Sequence, residues 1–182
     1  ICIGRNDQGE EHRCGGWGWL LDGGGSAQDI GQQGLQLSLR MADGRLTEWP
    51  LRQALWGAIN CSTPAAVKAL VVQANFGAAG FARLAPLVVA AAEKGDQRAM
   101  KIVQRSAISL AEAVKGVATN LQLSAPCIAG SGGGFKHLKI FREQIVQAIA
   151  EHLPDARWVK PDGDACDGAL QLALGRLKLN QE

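Results

Sequence analysis

The sequence predicts an α/β fold that carries a helical insertion. Strand-like segments occur only near the two ends of the chain, at residues 1–5, 12–14, 125–129 and 156–160. Between them, residues 50–123 show helical patterns alone. The predicted order is therefore a β-hairpin, a set of helices and two strand–helix units, and such alternation of strands with helices is typical of α/β domains.

The N-terminal part is predicted to be a β-hairpin followed by a helix. Residues 1–5, ICIGR, read as a strand that enters the turn sequence NDQGE, and a second strand passes through residues 12–14. A helical pattern starts after Ser26 and stops at Asp43 and Gly44. Ser26 is the predicted N-cap, because its hydroxyl can accept a hydrogen bond from an unpaired N–H of the first turn.

Four helices are predicted in the middle of the chain. One starts at Pro50, and one follows Thr63 and runs to about residue 75, with proline in the first turn of each. A third covers residues 78–94, and Asp96 caps the longest. Apolar residues of this last helix recur every three or four positions, which predicts one seam packed along its whole length. The seam consists of Met100, Val103, Ala107, Leu110, Val114, Val117 and Leu121.

Strands and helices alternate again towards the C-terminal end. The strand at residues 125–129 leads into the glycine tract 130–134, and a helix follows. The strand at residues 156–160 precedes a last helix over residues 166–179. The apolar face of the helix after the glycine tract is formed by Leu138, Phe141, Ile145 and Ile149.

The composition excludes several classes of protein. The chain has 182 residues, of which 47% are hydrophobic and 20% charged, and these are globular rather than disordered values. Nineteen Lys and Arg against seventeen Asp and Glu give a net charge of +2, which is too balanced to favour nucleic acid or an anionic membrane. No apolar run approaches the roughly 20 residues of a membrane span. We therefore expect small-molecule partners, with neither nucleic acid nor membrane.

The cysteines predict neither a metal site nor a disulfide framework. Their number is odd, and their spacing fits no zinc or iron–sulfur motif. Without a signal-like leader, such thiols favour a reducing cytoplasm. The chain opens on Ile1 inside a predicted strand, which predicts a fragment of a longer protein. The five are Cys2, Cys14, Cys61, Cys127 and Cys166.

Glycine is enriched, with 23 residues against an average of roughly 7% of a chain. Ten of the glycines lie in two tracts, at residues 15–25 and 130–134, and each tract precedes a predicted helix. A helix N-terminus offers free N–H groups to an anionic ligand, and glycine lets the ligand come close. Neither tract fits a dinucleotide fingerprint or a P-loop. Tight turns and close packing would explain the same glycines.

Few side chains suggest catalysis. His12, His137 and His152 lie apart, and no nucleophilic triad can be read from the spacing. Asp22 could accept hydrogen bonds from a hydroxylated ligand, but Asp before Gly is also common in turns. Two tryptophans in the first tract, at 17 and 19, could stack on a sugar, although core packing is favoured.

The first tract and its continuation resemble a family signature. Residues 15–21, GGWGWLL, lead into GSA at 25–27 and IG at 30–31. This stretch resembles the GGWG…GDEGS…IG segment of N-acetylglucosamine kinases, bacterial glucosamine kinases and BadF/BadG-type ATPases. The resemblance covers essentially the whole chain, but only the C-terminal half of such an enzyme. Looser matches in the family's order are DGR at 43–45, AEKGD at 92–96, IAGSG at 128–132 and DGALQLA at 167–173.

This resemblance implies an actin-like ATPase fold, in which two ribonuclease-H-like lobes close on ATP and a sugar. Residues 1–182 would form the C-terminal lobe with its helical insertion at about 50–123, and the N-terminal lobe would lie outside this chain. Catalytic residues are expected on that other lobe, which would also hold most of the Mg²⁺ site. The cofactors implied are ATP and Mg²⁺.

The resemblance also assigns roles to individual residues. The adenosine loop would match Gly130, Ser131 and Gly132, and Gly80 would match a glycine near the nucleotide. The sugar-binding segment would consist of Asp22, Gly23, Ser26 and Ala27. The family's Asp-Glu pair falls on Gly23 and Gly24 here, so Asp22 would have to replace a missing sugar-binding carboxylate.

These roles lead to a hypothesis with two alternatives. The leading one is ATP-dependent phosphorylation of an amino sugar, N-acetylglucosamine or glucosamine, at the 6-hydroxyl. The alternatives are a BadF-type ATPase activator, against which the scattered cysteines argue, and a non-catalytic sugar or nucleotide sensor, which the change at Gly23 and Gly24 favours. The sequence leaves a homodimer open.

Overall fold

A computed structural model of the chain describes residues 1–179, with no description of the side chains at positions 165, 172 and 175–179. It contains short strands at both ends and helices between them. The elements are β1 (Cys2–Arg5), β2 (Glu11–Cys14), α1 (Ala27–Ala42), α2 (Pro50–Ala58), α3 (Pro64–Val71), α4 (Gly77–Ala82), α5 (Ala85–Glu93), α6 (Gln97–Asn120), β3 (Cys127–Ile128), α7 (Gly133–His137), α8 (Lys139–His152), β4 (Arg157–Trp158) and α9 (Ala165–Leu179).

The predicted order of elements is confirmed, but the strands are short and the described chain is mostly helical. β1 and β2 pair antiparallel, with Cys2 opposite Cys14. β3 and β4 pair parallel through two residues each, and α7 and α8 form the crossover between them. These are two separate two-stranded sheets rather than one.

The single helix predicted over residues 78–94 is wrong. The structure divides this segment into α4 and α5, and Pro86 lies in the first turn of α5. Proline has no N–H and its ring collides with the carbonyl four residues earlier, so a helix cannot run unbroken through position 86. The helix predicted after the second glycine tract is also divided, at Leu138, into α7 and α8.

The long helix α6 is the centre of the fold. It packs against α8, α5, α1 and the β1–β2 hairpin. The predicted seam is only partly right. Its buried members are Val103, Ala107, Val117 and Leu121, whereas Met100, Leu110 and Val114 are only partly buried. Since neighbours cover α6 on several sides, the buried surface is broader than one stripe and includes small residues that allow close approach. The other buried residues are Ala99, Ile102, Ser106, Ala111 and Ala118.

Asp96 caps α6 as predicted. Its Oδ1 accepts hydrogen bonds from the N–H groups of Arg98 and Ala99, at 2.9 and 3.3 Å. The guanidinium of Arg98 donates to Thr47 O at 3.0 Å and lies over the Trp49 ring. The cap thereby fixes the start of α6 to the segment between α1 and α2.

A buried hydrogen bond joins α1 to α2. The Trp56 indole N–H donates to the Ser38 hydroxyl at 2.9 Å, and that hydroxyl donates to Leu35 O at 2.6 Å. Both side chains are buried, so no water can replace a lost partner.

Ser38→Ala is expected to lower the free energy of unfolding by about 1–3 kcal/mol, because the Trp56 N–H would stay buried without an acceptor. Urea unfolding followed by tryptophan fluorescence measures the change. The exposed Ser62→Ala is the matched control and should stay within about 0.5 kcal/mol of the parent. Equal losses of unfolding free energy in the two variants would contradict the role of the Ser38 hydroxyl as the buried acceptor of the Trp56 N–H.

No helix among residues 1–179 has the combination of length and apolar character that crossing a membrane requires.

Candidate ligand-binding loops

The first glycine tract forms a closed loop between β2 and α1. Arg13 holds its start, donating from Nε to Gly15 O at 3.1 Å and from a terminal nitrogen to Gly16 O at 2.7 Å. The Asp22 carboxylate accepts from the Trp17 N–H at 3.4 Å, and the Asp22 N–H donates to Gly18 O at 2.8 Å. These two hydrogen bonds make Asp22 part of the turn. Because Asp22 is exposed, its carboxylate remains accessible to solvent.

Ser26 links this loop to α1, and the N-cap prediction is confirmed. Its hydroxyl accepts from the Asp29 N–H at 3.1 Å and donates to Gly23 O at 2.5 Å. Ala27 is the first residue of α1 and is half-buried. The structure therefore brings Asp22, Gly23, Ser26 and Ala27 together in one turn.

A polar contact beneath the loop, which sequence reasoning missed, connects α1 to α6. Asp29 accepts from the Ser106 hydroxyl at 3.0 Å and from Gln33 Nε2 at 2.8 Å. Ser26 and Asp29 have the spacing of a capping box, so the sequence could have indicated a role for Asp29. Its carboxylate does not bond to the N-cap, however, but accepts from Ser106 of α6. Hydrogen bonds thus link Ser106 to Asp29, Asp29 to Ser26, and Ser26 to Gly23.

The loop has little room for side chains at positions 23 and 24. A Cβ on Gly23 would lie 2.8 Å from the backbone oxygen of Trp19 and 2.5 Å from Oε1 of the buried Gln28. A Cβ on Gly24 would lie 3.0 Å from Ser109 Cβ. The backbone of Trp19 therefore excludes a side chain at position 23, and position 24 is tightly packed against Ser109.

The expectation that the two tryptophans of the first loop pack in the core is wrong. Trp17 is 72% exposed, with the Arg13 guanidinium 5.5 Å from its ring centre. Trp19 is partly exposed and contacts Phe81 of α4, with ring centres 6.1 Å apart. Leu20 and Leu21 are also exposed, so the tip of the loop is an apolar surface.

The second glycine tract forms the turn from β3 to α7. Gly132 has φ 100° and ψ 160°, a backbone region that essentially only glycine adopts. A Cβ on Gly130 would lie 2.5 Å from the Phe135 ring. That ring stacks on Trp158 of β4, with centres 5.5 Å apart and planes 17° apart. Gly130, Ser131 and Gly132 therefore lie beside an aromatic pair.

Gly80 lies apart from this turn in the fold, buried in α4. A Cβ there would collide with the Phe76 ring at 2.6 Å, and α4 packs on α1. The neighbouring Phe81 contacts Trp19 of the first loop. The role of Gly80 near a nucleotide stays a prediction.

The helix α6 lies beneath the first loop and beside the groove that β3 borders. The first rests on Ser109 and Leu110 of α6, and β3, which leads into the second, borders a groove lined by Val114 and Val117. Leu110 and Val114 are about one helical turn apart. α6 therefore supports the first loop, and it lines the same groove as the strand that precedes the second.

Two groups away from the glycine loops have a shifted pKa. The Arg45 guanidinium donates to the Asp43 carboxylate at the end of α1, and this lowers the pKa of Asp43. Burial raises the pKa of the Cys2 thiol, and the adjacent Cys14 raises it further.

The described residues do not fit a Mg²⁺ site of their own. Nowhere in that part of the chain do three His, Cys, Asp or Glu side chains converge in a group that could hold a metal ion. A Mg²⁺ ion would therefore need ligands beyond those that this part of the chain brings together.

Comparisons with known proteins agree with the fold. The model of the BadF/BadG/BcrA/BcrD ATPase family matches residues 1–173, so this chain belongs to that family. A structure from Chromobacterium violaceum, provisionally named an N-acetylglucosamine kinase, superimposes with a TM-score of 0.71 at 26% identity, over 92% of this chain and 53% of that one. The match indicates an actin-like ATPase fold.

Two curated relatives are also sugar kinases by name. The N-acetylmuramic acid/N-acetylglucosamine kinase of Clostridium acetobutylicum is 23% identical over 95% of this chain. The N-acetyl-D-glucosamine kinase of Dictyostelium discoideum is 27% identical over 98% of it. This chain spans 57% of the length of each relative.

Proposed function

We propose that this chain is the C-terminal lobe of an ATP-dependent amino-sugar kinase and contributes walls to both its sugar and its nucleotide sites. The observation that carries the proposal is the preformed turn at residues 22–27, held from below by Ser26, Asp29 and Ser106. Similarity to named N-acetylglucosamine kinases along nearly the whole chain supports it.

The sugar would bind at the turn formed by Asp22, Gly23, Ser26 and Ala27. The exposed Asp22 carboxylate is an acceptor for sugar hydroxyl groups, and a glycine at 23 allows the ring to approach the backbone. Because Gln28 occupies the space beside Gly23, this turn would bind the sugar without the family's carboxylate pair. The substrate class is N-acetylglucosamine or glucosamine, phosphorylated at the 6-hydroxyl.

The nucleotide would bind at Gly130, Ser131 and Gly132. The backbone of this turn would face the adenosine, and the pair formed by Phe135 and Trp158 fixes the turn from one side. In the transfer, the sugar hydroxyl oxygen forms a bond to the γ-phosphorus, the bond to the bridging oxygen breaks, and ADP leaves while the hydroxyl proton goes to a base. Mg²⁺ would neutralise charge on the phosphates. The base and most Mg²⁺ ligands would be provided by the other lobe, and closure of the two lobes would exclude water.

A sensor without catalysis is the second candidate, and the tight packing at Gly23 and Gly24 favours it. Such a protein would bind an amino sugar or ATP and transfer nothing. The kinase and the sensor differ in turnover alone, so a binding measurement tests the site and a measurement of phosphate transfer distinguishes the two functions.

Ser26→Ala tests the sugar-binding turn. Loss of the cap is expected to cost about 1 kcal/mol of stability, and loss of the bond to Gly23 O should weaken amino-sugar binding at least threefold. Calorimetric titration with N-acetylglucosamine measures the affinity.

The control is Thr63→Ala, which removes an equivalent N-cap whose hydroxyl accepts from the Ala66 N–H at 3.1 Å. It should cost similar stability and leave sugar affinity unchanged. If both variants bind the sugar equally well, the turn at residues 22–27 is not the sugar site.

A further inference from the structure

Two of the five cysteines lie directly opposite each other in the β1–β2 hairpin. The register of the antiparallel pair places Cys2 opposite Cys14. The Asn6 N–H donates to Glu10 O at 3.0 Å, and hydrogen-bonded pairs recur at every second position of an antiparallel ladder, so the two cysteines form such a pair. The Cα atoms of such a pair are about 5.5 Å apart, which is also within the commonest Cα separation across a disulfide. The hairpin therefore holds the two residues at the separation that a disulfide requires.

Both thiols lie on the face of the hairpin that packs on α6. Side chains alternate between the two faces of a strand, so Cys2 shares a face with Gly4, where an added Cβ would collide with Val117 of α6. A Cβ on Gly116 of α6 would lie 2.8 Å from Cys14 Sγ. Because residue 116 is glycine, there is room for this sulfur between β2 and α6. The two side chains therefore face each other across the same side of the ladder.

The environment of the pair sets how fast it can react. Both thiols are free and half-buried. Burial raises the pKa of the Cys2 thiol, and the facing Cys14 raises it further. Since the thiolate is the reactive form, we expect slow oxidation by a small thiol oxidant.

The geometry points to a redox modification site: Cys2 and Cys14 form a reversible disulfide across the open end of the hairpin, where the first glycine loop starts. Cys14 directly precedes Gly15 and Gly16, whose carbonyl oxygens accept from Arg13. The bond would therefore fix the end of β2 from which the loop departs. The inference rests on the register and the shared face of the two thiols, and not on the proposed kinase function.

The oxidant we assign is a small disulfide such as oxidised glutathione. The thiolate of one cysteine attacks a sulfur of oxidised glutathione, so that a mixed disulfide forms and one glutathione thiolate leaves. The thiolate of the other cysteine then attacks the protein sulfur of the mixed disulfide and displaces the second glutathione. The two cysteine sulfurs lose two electrons to the glutathione disulfide, and the two cysteine protons end on the two released glutathione thiols.

This disulfide should be easy to reduce. The Cβ atoms of directly opposed residues in an antiparallel pair are about 4.5–5.5 Å apart, whereas a disulfide brings them to about 3.5–4.5 Å. The two strands must therefore approach each other at this pair. Strained disulfides of this kind are the labile and regulatory ones.

The test maps the bond directly. Protein expressed from its native gene is incubated for several hours with oxidised glutathione, the remaining thiols are blocked, and unreduced peptides are identified by mass spectrometry. We expect most molecules to contain Cys2 linked to Cys14, and dithiothreitol to restore both thiols. Cys14→Ser should abolish the link, whereas Cys61→Ser, which changes a half-buried cysteine outside the hairpin, should leave it unchanged.

Two results would overturn the inference. One is a link between Cys2 and Cys127, and the other is glutathione adducts on the exposed Cys127 and Cys166 with no link between Cys2 and Cys14. Since the unsubstituted protein gives either result, the test stands even if Cys14→Ser unfolds.

Hydrogen exchange tests the effect on the loop. The Asp22 N–H donates to Gly18 O at 2.8 Å and reports on the loop. Its exchange should slow at least twofold in the oxidised protein and return to the starting rate after reduction. Equal exchange in the oxidised and reduced forms would overturn the assigned effect on the loop.

Discussion

Gly31→Ala is expected to lower the free energy of unfolding by about 3 kcal/mol. Gly31 lies in α1 where this helix meets α4, and an added Cβ would collide with the backbone oxygen of Phe81. That oxygen belongs to the main chain and cannot turn away as a side chain can. The two helices must therefore move apart, and overpacking of this kind typically costs 1–3 kcal/mol or more.

The control for Gly31 is another helical glycine. Gly57 in α2 is exposed, and an added Cβ there would meet no atom within 4 Å. Gly57→Ala should therefore be neutral or stabilise by up to about 1 kcal/mol, since alanine is the better helix former. Urea unfolding of both variants measures the difference. Equal stability of the two would show that α1 and α4 do not approach as closely as described.

Gly132→Ala is expected to weaken ATP binding at least tenfold. The φ of 100° and ψ of 160° at this residue are strained for any side chain, at a cost of about 1–3 kcal/mol. A tenfold loss of affinity corresponds to about 1.4 kcal/mol, so relaxation of the turn is sufficient to produce it. The Gly130–Ser131 backbone would then no longer present the proposed adenosine-binding surface.

Gly133→Ala is the control for this loop. Gly133 is the first residue of α7, and a Cβ there would meet no atom within 4 Å. Calorimetric titration with ATP should show affinity within twofold of the parent. If Gly132→Ala also binds ATP like the parent, the turn after β3 is not the nucleotide site.

Most element positions were predictable because their causes are local. Ser26, Thr63 and Asp96 each cap a helix through an N–H two or three residues away. The division of residues 78–94 was predictable in principle from Pro86 alone. The shortness of the strands was not, because strand pairing depends on residues distant in the chain.

The candidate site was only partly predictable, because some of its contacts join residues that are distant in the chain. The turn at residues 22–27 follows from its glycines and its serine, which are neighbours in sequence. Its support by Ser106 does not, because that residue lies 77 positions away from Asp29. The crowding at Gly23 and Gly24 likewise depends on Gln28 and on Ser109 of α6, which only the folded chain brings to the loop.

The most direct test of the central claim is transfer of phosphate from ATP to an amino sugar. Protein expressed from its native gene is incubated with ATP, Mg²⁺ and N-acetylglucosamine or glucosamine, and ADP and sugar phosphate are quantified by ³¹P NMR. The proposal predicts equal amounts of ADP and sugar 6-phosphate, and no product from the isolated 182-residue chain. Sugar and ATP binding without any sugar phosphate would contradict the kinase and leave the sensor, and product from the isolated chain would contradict the assignment of catalytic groups to another lobe.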